Sequence, residues 1–184
     1  MGTLNYVKLE KVNLKGNPEY SESWVQKVGN TSDYEYRHLS ATVVGDYLYV
    51  VREQSGPAAG LVDIFRYFTS TGGSDAEFGF YTVVMVGAGE LNDLVLFGNT
   101  DGGDSFVYLA IIESDGDLRF FYALAALFDI DDATADDWTE LGSGGTGVTN
   151  ALGRIDGAYN DGSSPYGIFI SYIDTSGQLC LWRF

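Results

Sequence analysis

Apolar residues in this chain fall into short runs, separated by clusters of Gly, Asp and Ser, and the runs recur in the same order three times. Residues 39–44, 47–51 and 61–68 form the first set, 94–97, 106–112 and 118–122 the second, and 153–159, 167–173 and 179–184 the third. Before each set stands a segment with an aromatic residue at its second position and glycine at its close: 23–29, 80–87 and 137–142. Trp24 and Tyr81 are 57 positions apart, and so are Tyr81 and Trp138. Four short runs per unit with Gly/Asp turns between them predict an all-β array. A fixed period of this order is the sequence mark of solenoids and propellers.

Several of the runs are apolar throughout, as in Phe106-Val107-Tyr108-Leu109-Ala110-Ile111-Ile112. Strict alternation would predict a strand with one wet face; an unbroken apolar run predicts a strand covered on both. Stacked blades meet that requirement. The chain therefore reads as one β domain over 1–184, a propeller-like array of three four-stranded repeats at about 22–78, 79–135 and 136–184, with an N-terminal arm over 1–21. Segment 122–128 lies after a third strand and is compatible with helix or strand. The third repeat stops inside its third run at 179–184, while 21–29 is a fourth-strand segment with no third strand before it. The two fragments predict a composite blade closed by the N-terminal strand. Three blades fall short of the usual four to eight, so the array is expected to be completed by oligomerisation, with a dimer the simplest case.

Composition supports the β reading: 13 Tyr, 11 Phe and 24 Gly stand against only 4 Lys. The net charge of −16 is uneven. All the lysines lie in residues 1–27, leaving 6 Arg against 23 acids in the remainder. Phosphate binding needs clustered Lys and Arg, so nucleic acid is excluded as a partner, and anionic membrane surfaces are disfavoured for the same reason. No apolar run is long enough for a transmembrane helix, and residues 1–8 lack the apolar core of a secretory signal. A soluble protein of open compartment is expected. Cys180 is the lone cysteine, between Leu179, Leu181 and Trp182, and is expected to be a core thiol.

Catalytic constellations are sparse, and no enzyme is expected. The single histidine, His38, follows Glu35, Tyr36 and Arg37 and predicts a surface loop. The Gly-rich 142–147 lacks the lysine of a phosphate loop. Acidic segment 129–140 has the outline of a calcium loop, with Asp129, Asp131, Asp137 and Glu140 as candidate oxygen ligands. Ala133 and Thr134 occupy positions where that loop needs an oxygen donor and a glycine, so a solvated insertion is the simpler expectation. Calcium is the one cofactor such a loop would take. The turns at 101–104 and 115–117 read as turns rather than metal sites.

The recurring aromatic and arginine positions are more suggestive. Trp24, Tyr81 and Trp138 return once per unit, and so do Arg66, Arg119 and Arg183 in the third strands. A sugar site needs a rigid apolar face for the ring and planar donors for its hydroxyls, which these two residue types supply. Repetition would multiply the sites. The competing expectation is that the aromatics are core and the arginines pair with the abundant acids.

With its Asp-Gly turn at 114–118 leading to Trp138, and its counterpart at 174–179, the chain resembles the lectin-type β-propellers, notably the fucose-binding fungal and bacterial family. The resemblance covers residues 22–184 as architecture. It implies a carbohydrate-binding, non-enzymatic protein with a glycan or glycoprotein as partner and copies of itself in an oligomer. That family binds fucose through an arginine in strand two, a glutamate in strand three and an aromatic in strand four. Here Arg52 ends strand two of the first repeat, but no third strand holds a glutamate, so fucose specificity is not implied. The alternative reading is a structural or self-assembling protein on the same fold: a fibre, a capsid decoration or an interaction scaffold.

Overall fold

The computed structural model describes residues 6–8, 25–27, 36–54, 61–68, 79–85, 90–99, 105–125, 138–141, 146–160 and 167–184. These residues form thirteen strands and no α-helix: β1 (Tyr6–Lys8), β2 (Val25–Lys27), β3 (Tyr36–Val44), β4 (Tyr47–Gln54), β5 (Leu61–Phe68), β6 (Gly79–Met85), β7 (Asp93–Asn99), β8 (Phe106–Ile112), β9 (Leu118–Leu124), β10 (Thr139–Glu140), β11 (Ala151–Asn160), β12 (Gly167–Asp174) and β13 (Leu179–Arg183). No helix among them is long and apolar enough to cross a membrane.

Three antiparallel sheets follow one another along the chain, each a simple meander: β3-β4-β5-β6, β7-β8-β9-β10 and β11-β12-β13. Where the connections within these sheets are described, at 45–46, 113–117 and 175–178, they are short hairpin turns. Aspartates fix two of these turns by accepting backbone N–H groups. Asp174 Oδ1 accepts from Ser176 N at 2.9 Å and Gln178 N at 2.8 Å, and Asp115 Oδ1 accepts from Asp117 N at 3.1 Å. Tyr81 lies in β6 and Trp138 directly precedes β10, so both repeat markers sit at fourth strands, as the period predicts. The third member of that class behaves differently. Val25–Lys27 pairs with Tyr6–Lys8 in a separate two-stranded sheet, and β13 is bonded to β12 alone. The pairing of 21–29 with 179–184 is thus not made among the described residues of this chain. Of segment 122–128, the described part continues β9 to Leu124.

The middle sheet explains the unbroken apolar runs. Along β8, Val107, Leu109 and Ile111 join one core with residues of the first sheet. Tyr108, Ala110 and Ile112 join a second core with residues of the third sheet. The period of two divides one apolar run between two interiors. β7 does the same, with Leu94 and Leu96 in the first core, Phe97 in the second and Val95 packed against it. Each fully buried Leu or Ile contributes about 1.5–3 kcal/mol, which makes the two inter-sheet cores the dominant source of stability.

The first strands of the three sheets lie side by side, β3 against β7 and β7 against β11. Two glycines permit the approach. A Cβ on Gly98 would overlap Val44 Cγ2 and come within 2.8 Å of the Phe106 carbonyl oxygen; one on Gly157 would overlap the Phe97 ring. Gly98→Ala should therefore destabilise the fold by about 1–3 kcal/mol, the usual cost of overpacking. Urea unfolding measures it, and an unchanged midpoint would contradict this packing.

Candidate functional site

Among the described residues, aromatic side chains form an extended cluster at the junction of the second and third sheets. From β11 to the end of β13 the rings form a row. Tyr159 stacks on Tyr108 with centroids 6.1 Å apart, and Tyr108 on Phe120 at 5.9 Å. Phe120 meets Trp182 at 5.7 Å, and Trp182 stacks on Phe184 at 6.1 Å with planes 6° apart. The row sits between the second and third sheets because β8, β9 and β13 each turn alternate residues to that side. Its middle is buried and its two ends are open: Tyr159 is 36% exposed and Phe184 56%. Trp182 keeps its indole N–H satisfied by donating to the Thr146 carbonyl oxygen at 3.1 Å. Phe184 is tied down by a reciprocal backbone pair with Ile168.

The Tyr108 phenol is pushed up to about 12, first by burial and then by the Tyr159 phenol beside it. A raised folded-state value means that the neutral phenol is favoured by folding. The associated stability is fully present below the ordinary tyrosine range and is lost as pH rises through about 12. A tyrosinate absorbance titration should show a late-ionising class, Tyr108 within it beside Tyr49 and Tyr172, that coincides with alkaline unfolding; ionisation of every tyrosine near the ordinary value would contradict the placement of Tyr108.

The positions singled out from the sequence do not converge. Trp24 lies outside the described residues, and so does the side chain of Tyr81, whose backbone in β6 is paired with Ile64. Trp138 is 8% exposed and belongs to the first core. Arg66, Arg119 and Arg183 occupy the third strand of their respective sheets, so the repeat is real in position but different in environment. Arg66 is buried, with its guanidinium 4.4 Å from the centre of the Tyr47 ring. It hydrogen-bonds the Tyr49 phenol, which burial nevertheless pushes up. Arg119 lies over Phe121 and is held by two acids, Glu140 through a two-pronged contact at 2.6 and 2.7 Å and Glu113 at 3.0 Å. The Glu140 contacts, with Glu113 adding, raise its guanidinium further against the effect of burial. Arg183 is exposed and lies 5.7 Å from the Phe169 ring centre.

Of the candidate calcium ligands, Asp129, Asp131 and Asp137 lie outside the described residues, and Glu140 is committed to Arg119. Glu113, Asp115 and Asp117 bring carboxylate oxygens within 4.8 Å of one another at the β8–β9 turn. That closeness follows from the ion pair of Glu113 with Arg119 and the turn made by Asp115, and it requires no ion.

His38 departs from the surface-loop expectation. It sits in β3 at a bulge, where Arg37 faces Glu53 and Leu39 faces Arg52, and its φ of 39° is in the left-handed region. The extra residue re-aims the imidazole towards the second sheet. Nδ1 lies 3.4 Å from Asp93 Oδ1 and Nε2 lies 3.8 Å from Glu53 Oε2. Glu53 is fully buried, and its Oε1 accepts the Leu91 N–H at 2.7 Å. Asp93 Oδ2 accepts from Ile155 N at 3.0 Å on β11. One carboxylate thus connects all three first strands. Ser40, two residues on, is already engaged with the Leu96 backbone, its Oγ accepting the N–H at 3.0 Å. The cluster is a partly buried strut between sheets. Glu53 shares a face with Tyr49 and Val51, but Val50 and Arg52 are buried as well, so no alternation announced it, and nothing announced the arrival of Asp93 from another repeat.

Comparison with protein-family models, curated proteins and solved structures finds no match.

Cys180 is half-buried against the second core, in keeping with a packing thiol.

Proposed function

We propose that the chain is a non-enzymatic carbohydrate-binding protein, and that its three sheets are blades of a β-propeller completed by oligomerisation. The succession of first strands β3, β7 and β11, with a core on each face of the middle sheet, supports the blade reading. The observation that carries the binding reading is the aromatic row that surfaces at Tyr159 and Phe184 between two sheets. An exposed ring held from behind by a stacked partner offers a rigid apolar platform at little entropic cost. The apolar face of a pyranose fits such a platform, and its rim hydroxyls can bond the phenolic groups. The site so proposed lies at Tyr159 and Phe184, because Trp138 is occupied in the core.

A glycan array tests this directly. The wild-type chain should bind one glycan class, and Tyr159→Ala should lose at least tenfold in affinity with unchanged far-UV circular dichroism. Absence of binding across the array would overturn the carbohydrate reading.

The second reading, a self-assembling scaffold, is favoured by a different observation. All the large hydrophobics exposed among the described residues lie on the first and third sheets or at Phe184.

A further inference from the structure

Leu39 and Val43 on β3, Leu152 on β11, and Leu179 and Leu181 on β13 are all more than half exposed. The middle sheet contributes no large exposed hydrophobic among the described residues. The faces are also determined. Ser40 and Val44 are turned to the second sheet, so Leu39 and Val43 project the opposite way. Cys180 and Trp182 pack on the second core, so Leu179 and Leu181 project away from it. Away from the middle sheet, the first sheet is thus open along β3 only, because Val50 and Arg52, which lie beside Ala41 and Leu39 on that face, are buried; the third sheet is open along β11 and β13.

We infer that these exposed apolar strips cover each other between two copies of this chain, the β3 strip of one copy on the third sheet of the other. The inference rests on the blade reading of the sheets and not on carbohydrate binding. The same contact is already made twice inside the chain, first sheet on second and second on third. A second copy repeats that packing at both ends, and the head-to-tail contact then closes on itself. The two-stranded β1-β2 sheet apart, two copies give six meander sheets, within the four to eight of a closed propeller, whereas one gives three and three give nine. β13 adds to the case. Its outer edge carries no strand among the described residues, and an apolar strand edge invites pairing. β2, which by the 57-residue period belongs to the fourth-strand class, is a segment of suitable kind in the partner copy. Each copy carries a charge of −16, so added salt should strengthen the association by screening the repulsion.

Sedimentation equilibrium of the full chain tests this. The wild-type protein should have twice the 20.0 kDa chain mass, with the dimer favoured as sodium chloride rises. Leu181→Asp and Val43→Asp should each give monomers with unchanged circular dichroism. Mixing the two variants should restore dimers, because the Leu181→Asp copy keeps an intact first sheet and the Val43→Asp copy an intact third sheet. A monomeric wild type would overturn the inference, as would filaments of indefinite length. A mixture that stays monomeric would overturn the head-to-tail arrangement. Glycan capture by the Leu181→Asp monomer reads the carbohydrate proposal separately.

Discussion

Replacing Phe120 with alanine should lower the unfolding free energy by about 3–5 kcal/mol, a large fraction of the total for a domain of this size. Phe120 lies in β9 with none of its surface exposed, and its ring meets those of Phe97, Tyr108, Tyr122, Trp182 and Phe184. Those rings come from the second and third sheets, so collapse around the cavity would have to move a whole sheet. Stacked neighbours held by backbone pairing cannot fill the space, which places the cost near the upper end of the range. Urea titration followed by tryptophan fluorescence measures it. A loss below about 1 kcal/mol would show that the two sheets do not pack through this ring.

The second large effect is expected at Glu53. Glu53→Ala removes the acceptor of the buried Leu91 N–H, and an orphaned buried donor costs about 1–3 kcal/mol. It also removes one of the two carboxylates beside His38 and leaves a cavity between the first and second sheets. Together the orphaned donor and the cavity should reach about 3 kcal/mol. Glu53→Gln separates the contributions. The amide keeps an oxygen for Leu91 N and loses only the charge, so it should recover a good part of the loss. Equal destabilisation by both variants would assign the whole effect to the charge facing His38. No effect from either would contradict the buried placement of Glu53.

Much of the fold was legible because the same turn chemistry and strand lengths recur. The runs at 61–68 and 106–112 match β5 and β8 residue for residue. Unbroken apolar character in the second repeat correctly signalled a strand with two covered faces. The faces themselves were not legible, since periodicity says which residues share a side but not which sheet lies opposite. That is why Trp138, an attractive ring in the sequence, belongs to the core, while Tyr159 and Phe184, which drew no notice, are exposed. The arginines illustrate the same limit. Their spacing placed them on equivalent strands, but burial, two acids or solvent surrounds them according to which sheet stands next. His38 needed a β-bulge to reach the carboxylates between the sheets, and no residue in Tyr36-Arg37-His38-Leu39 announces one.

The blade reading is tested most directly by the shape of the particle. Negative-stain electron microscopy of the purified wild-type chain at high salt should show rings with a central depression and six radial lobes, two-fold averaged from three sheets per copy. Rods, or rings in which the lobes are not a multiple of three, would contradict it.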